Sequence, residues 1–298
     1  MQTRQSSRII IIGLATAMVA LLGACADGAS EDADTAAGTA TGDRAVAADQ
    51  PSGPSDAVRR RITTEYTAYV LDEADAFLAA SDAFADAVIA GDVETARELY
   101  APARMHFERI EPIAEALGDF DPRLDAREGD VPDEEWRGYH RLEKLLWVEG
   151  TAAERQHYAA LLKEDVALLR GRLETVEVAI PDLVTGTIEL LNEISSSKVT
   201  GEEERYSHTD LWDFAANLQG SYEIFTLLKT HLDSADHRLA TTIESRFNAV
   251  FETLSSLERG DGYLLYTELD EEHVRTLSAQ IDAVAEPLAT IGTYFPES

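Results

Sequence analysis

The chain has 298 residues, 56 of them Asp or Glu against 25 Lys or Arg, for a formal charge of −31. Neutralising phosphates takes a basic stripe, and a chain this acidic shows none, so nucleic acid is excluded as a partner. A lone Cys excludes intrachain disulfides and thiolate zinc sites, while 45% hydrophobic residues supply material for a sizeable core.

The first 24 residues carry Arg4, Arg8 and no acid, then an apolar run from Ile9 to Leu22. That run is short for a membrane span and has the charge order of a secretory signal, so residues 1–24 are expected to be an export leader. It closes on Leu22-Gly23-Ala24-Cys25, which resembles a bacterial lipobox. Lipid attachment at Cys25 would place the protein outside the cytoplasm, tethered to the cell membrane; the alternative is an ordinary cleavage region with Cys25 as a bystander. Residues 25–55 contain no aromatic and few large aliphatic residues, and read as a flexible acidic linker.

From Asp56 onward the texture is helical, with no run of strand alternation. Ile62, Tyr66, Val70, Ala74, Phe77, Phe84 and Val88 mark one face of a first helix ending near Gly91. A second is expected from Asp92 to about Leu117, kinked by Pro102 and Pro112, because proline at 112 lacks an amide and crowds the carbonyl of residue 108. An acidic loop, Gly118 to Pro132, follows. Further helices are expected over 133–149 and 152–179, from Pro181, from a cap at Ser207 to Asp210, and near 236–259 and 268–292. About eight helices predict an all-α fold of two antiparallel four-helix bundles, residues 56–180 and 181–298.

In the third helix, Trp136, Tyr139, Leu142, Leu146 and Trp147 form an apolar arc that contains Glu143 and has His140 on its margin, while Arg137, Arg141 and Lys144 face solvent. A carboxylate pointing inward needs a cation, a proton or strong donors. His140 and Glu143 therefore read as metal ligands or as a hydrogen bond sealed in a core. Glu108 and Glu111 repeat the i,i+3 spacing, with Glu111 near the Tyr100/Phe107 stripe and Glu108 turned toward solvent; they read as further ligands or as a charged flank with Arg104 and Arg109. The loop adds Asp119, Asp121, Asp125 and Glu128. One imidazole among hard oxygens suits ferric or ferrous iron or manganese, and less selectively zinc or copper. Ser207 and Thr209 read as the cap of the sixth helix.

Three blocks together, Ala103 to Glu128 (ARMHFERIEPIAEALGDFDPRLDARE), Gly138 to Trp147 (GYHRLEKLLW) and Tyr206 to Phe225 (YSHTDLWDFAANLQGSYEIF), resemble the imelysin-type domain of the EfeO/EfeM family of bacterial iron-uptake proteins. The resemblance runs over nearly all of the helical part. It implies a two-bundle helical fold and a metal site built on GxHxxE, with His140 and Glu143 as ligands and Glu108, Glu111 and Asp125 as the carboxylates around them. It also implies iron as cargo, and an Efe-type iron permease with its accessory peroxidase as partners. EfeO proteins carry a cupredoxin-like domain ahead of the helices, whereas here a 30-residue spacer (26–55) precedes them, short of the about 100 residues of a β-sandwich, so the EfeM type is expected.

Two other functions compete with iron carriage. Imelysin-type domains have been grouped with peptidases, but the HExxH helix motif, a Gly-x-Ser-x-Gly elbow and a catalytic Cys arrangement are all missing from this sequence, so no enzyme is expected. A metal-bridged binder of acidic polysaccharide would need exposed aromatic platforms, and Trp136, Trp147 and Trp212 are spaced as core residues.

Overall fold

The structure, a computed structural model, describes residues 53–148, 150–196 and 198–296. The expected leader, Cys25 and the linker up to residue 52 lie outside the described residues. Ser55 opens α1 (Asp56–Ala90) by accepting from the Val58 amide, and its 35 residues bury one stripe from Ile62 to Val88. The chain turns at Gly91, and Asp92 caps α2 (Val93–Glu108) through the Thr95 amide, which makes α1 and α2 a hairpin. Past a 3-10 turn (Glu111–Ile113) come the short α3 (Ala114–Leu117) and α4 (Phe120–Asp125), then α5 (Tyr139–Trp147) and α6 (Ala152–Leu173). A reciprocal Thr151–Glu154 capping box starts α6. The remaining helices are α7 (Ile180–Ser196), α8 (Asp210–Ala235), α9 (His237–Ser256) and α10 (Glu271–Leu288).

The fold is all-helical. α1 packs on α2 and α6, with α5 against α2 and α6; α10 packs on α7 and α9, and α8 on α9 and α7. The two groups meet where α2 lies on α8, and the 3-10 turn on α7. Gly220 of α8 permits this closeness, since a Cβ there would stand 2.1 Å from the Arg109 carbonyl oxygen. Among the described residues no helix is long and apolar enough to cross a membrane.

Several boundaries differ from the sequence reading. Pro102 stays within α2, but the helix stops at Glu108 and not near 117. Pro112 cannot return an amide to the Glu108 carbonyl, and Asn217 of α8 donates its side-chain N–H there instead, at 2.9 Å. α5 begins at Tyr139 and not at 133, because Gly138 has φ 92°, outside helical space. α6 ends at Leu173, and Pro181 sits in the first turn of α7, where its missing amide costs nothing. A two-residue hairpin, β1 (Glu258–Arg259) antiparallel to β2 (Gly262–Tyr263), was too short to show as alternation.

Candidate metal centre

The centre forms around Arg104 and Glu108, which sit one turn apart on α2 and are both buried. Arg104 lies 2.5 Å from Glu108 Oε1, 2.5 Å from Asp125 Oδ1 and 3.2 Å from Asp213 Oδ1 of α8. Its Nε also stands 2.6 Å from Glu204 Oε1, although not at a hydrogen-bonding angle. The guanidinium carbon lies 5.7 Å over the Tyr139 ring.

Gly138 brings α5 to this cation. A Cβ at that position would stand 2.4 Å from the Leu124 carbonyl oxygen and 2.6 Å from that of Arg123. The start of α5 therefore lies directly on the end of α4, which sets His140 beside Asp125. His140 is 1% exposed, with Nε2 3.5 Å from Asp125 Oδ1 and 3.8 Å from Glu203 Oε1. Its Nδ1 lies 3.5 Å from Glu143 Oε2 and 4.0 Å from Glu204 Oε1. Nε2 is buried without a hydrogen-bond partner. The ligand atoms of Asp125, His140 and Glu203 all lie within 4.8 Å of one another, as do those of His140, Glu143 and Glu204.

Glu203 and Glu204 come from residues 201–209, a strap between a 3-10 turn (Lys198–Thr200) and α8. The strap is fastened over α5: Glu143 Oε1 accepts the amides of Tyr206 at 2.8 Å and Ser207 at 2.7 Å. On the outside, Tyr206 Oη donates to Glu128, which also takes Lys144 at 2.5 Å. Arg127 holds Glu203 Oε2 at 2.9 Å, leaving Oε1 toward the imidazole.

The structure thus brings His140, Glu143 and Asp125 together, with Glu203 and Glu204 added. Glu108 stays on Arg104 through Oε1, and Glu108 and Glu111 both close on Lys198 and Asn217. Glu108 is wholly buried and not turned toward solvent. Glu128 stays on the rim, and Asp119 is exposed. Thr209 stands at the N-cap of α8 but makes no side-chain hydrogen bond to its first amides; Ser207 Oγ donates to Glu204 Oε2 at 3.0 Å and lies 2.9 Å from Thr209 Oγ1. Glu203 and Glu204 are not legible as site residues in the sequence, because Gly201-Glu202-Glu203-Glu204-Arg205 has the look of a solvated charge run. The one available signal was that it adjoins the Tyr206 block.

Acidic side chains crowd the centre. Glu108, Glu143, Glu203, Glu204, Asp210 and Asp213 are buried, with Asp125 13% and Glu111 11% exposed. The basic groups that reach them are Arg104, Lys198, His140 and, from the rim, Arg127. Burial, then repulsion from Glu143, pushes Glu204 well above the usual carboxylate range. Burial likewise raises Asp125, but Arg104 and His140 outweigh it and hold that carboxyl far below the range. Burial and Arg104 disfavour the imidazolium, yet Asp125 and Glu143 outweigh them and push His140 up to about 9. Burial also opposes ionisation of Glu143, which the imidazole and the Ser207 and Tyr206 amides reverse to a lowered value. A multivalent cation beside Nε2 would take the place of the imidazole proton and favour the ionised form of the raised carboxyls.

A family model described as Imelysin, under a peptidase designation, matches residues 62–291. The chain belongs to the imelysin family. Within it, an Efem/EfeO family lipoprotein of Staphylococcus haemolyticus is 38% identical over 242 residues, covering 80% of this chain and 84% of that protein. The iron uptake system component EfeO of Escherichia coli K12 is 41% identical over 232 residues, and that of Shigella flexneri matches equally. This imelysin chain spans 62% of the length of those two relatives.

Proposed function

We propose that this protein is an extracytoplasmic iron-binding component of an Efe-type uptake system, which holds one iron ion and presents it to a membrane permease. The observation that carries the reading is a buried imidazole nitrogen that makes no hydrogen bond and faces two carboxylates inside a cluster of buried acidic side chains. The ion is assigned to the Nε2 face of His140, with Asp125 and Glu203 as oxygen ligands. Glu143 then acts from the other side of the ring, holding Nδ1 and fixing its orientation, as carboxylates do behind metal-bound imidazoles. Hard oxygens with one imidazole suit iron better than soft metals, and zinc or copper would compete through the imidazole. The relatives' names support the iron assignment and the lipoprotein reading, in which a lipid on Cys25 tethers the chain. A peroxidase of the same system is the second partner. The reading is of a carrier and not a peptidase, since the HExxH pair of imidazoles with a Glu base is missing from the sequence.

Anaerobic calorimetric titration of the full-length chain with ferrous iron tests this. One ion per chain is expected, with His140→Ala weakening binding about 100-fold or more while circular dichroism stays unchanged. A folded wild-type chain that takes up no iron, zinc or copper would sink the reading.

A further inference from the structure

His140 is buried, and two of the acids facing it, Glu203 and Glu204, stand on the strap of residues 201–209. An ion that is taken up and handed on must pass where some element lifts. The strap belongs to no helix or strand and is held by a few identifiable bonds. Tyr266 makes those at its two ends. The Tyr266 hydroxyl donates to the Val199 carbonyl, where the chain enters the strap, and the Tyr266 amide donates to the His208 carbonyl at 2.8 Å, where it leaves for α8. Between these bonds the ring lies against Gly201, which has φ 76° and whose Cβ, if present, would stand 2.2 Å from the ring. Tyr266 is itself fixed, since it opens a 3-10 turn (Tyr266–Glu268) just after β2. Tyr263 of β2 packs edge-on against Trp212 of α8 at 5.5 Å, and Arg259 of β1 holds Glu268 at 2.7 Å. The strap also ends in strained backbone: His208 has φ 60°, a conformation that a non-glycine residue keeps only where its surroundings impose it.

We propose that Tyr266 is a positioning residue that holds the strap shut over the centre, and that the strap is the gate through which the ion enters and leaves. The inference rests on the iron reading above and adds to it the route and what governs its rate. Opening parts the Tyr206 and Ser207 amides from Glu143 and the Tyr206 hydroxyl from Glu128, carries Glu203 and Glu204 off the imidazole, and relaxes His208. The Tyr266 bonds at the two ends oppose it. A segment held by a few hydrogen bonds opens locally far more often than the fold unfolds, and such loops commonly set the rates of entry and release. Since opening precedes passage in either direction, loosening the gate speeds both and leaves the affinity nearly unchanged. A residue that merely orients ligands alters release and affinity and leaves entry alone.

Three rates of the full-length chain test this. Entry is followed anaerobically by the quenching of tryptophan fluorescence on mixing with ferrous iron, release by the colour of a ferrous chelator in excess, and opening by amide hydrogen exchange of residues 199–209 without metal. Tyr266→Phe removes one hydrogen bond at the strap and is expected to speed all three by about 3- to 10-fold, with Kd moving less than about twofold. Tyr294→Phe removes a comparable bond, to Asp236 at the far end of α8, and is expected to change none of them. Faster release with unchanged entry in Tyr266→Phe would make the residue an orienter of ligands alone and overturn the gate. Unchanged rates in a Tyr266→Phe chain that folds by circular dichroism would overturn it too, as would an equal gain in Tyr294→Phe. If Tyr266→Phe fails to fold, Tyr206→Phe, which frees the strap from Glu128, decides: faster entry and release uphold the gate and unchanged rates overturn it. A wild-type chain that takes up no iron overturns the carrier reading, a failure told apart from that of the gate because exchange of the strap is measured without metal.

Discussion

Gly138 is the residue on which the centre most depends, although its side chain is a hydrogen atom. Both its φ of 92° and the 2.4 Å that would separate a Cβ from the Leu124 carbonyl oxygen oppose any other residue. Gly138→Ala is therefore expected to cost on the order of 3 kcal/mol, read as a fall in the urea midpoint, and to move His140 away from Asp125. The motif showed that Gly138, His140 and Glu143 belong together; it did not show the reason, which is contact with a helix end many residues upstream. Glu73 makes a second prediction. Burial raises its pKa, but His106 at 2.7 Å and Arg109 at 3.3 Å outweigh this and lower it. A depressed carboxylate adds stability that is complete above its unfolded value and is lost as pH falls through the folded one. The stability difference between wild type and Glu73→Gln is thus expected to be present at neutral pH and to vanish in acid; a difference constant from pH 7 to 3 would contradict it.

At the scale of elements, the first helix and the capped starts of α6 and α9 could be read from periodicity and caps, because local residues decide them. The break after Glu108 was visible only as a proline. Its repair is tertiary, with Asn217 from more than a hundred residues away supplying the missing amide. Asn217→Leu, which leaves the Glu108 carbonyl buried without a donor, is expected to destabilise the fold by about 1–3 kcal/mol in urea unfolding. Unchanged stability would mean that the carbonyl finds another partner. The strap was the least legible element. A run of three glutamates is ordinarily solvated, and here Glu203 and Glu204 are turned inward where Glu143 pins the following amides, Arg127 holds Glu203 and Ser207 donates to Glu204. Without the neighbouring helix nothing in that segment signals burial.

Across the whole molecule, the centre draws on both groups of helices: α2, α4 and α5 from one, the strap and α8 from the other. We propose that these groups correspond to sub-bundles 56–180 and 181–298, so that the ion would lie between them and help join them. The field of the formal charge of −31 is screened beyond about 8 Å in physiological salt, so attraction of cations is a short-range effect. Specific holding is left to the buried carboxylates. The claim that decides this account is where the ion sits. Anomalous diffraction from crystals of the iron-loaded protein, collected at the iron edge, is predicted to give one peak per chain beside His140 Nε2, within reach of Asp125 and Glu203, with Lys198 still on Glu108 and Glu111. A peak between Glu108 and Glu111, with Lys198 displaced, would contradict it.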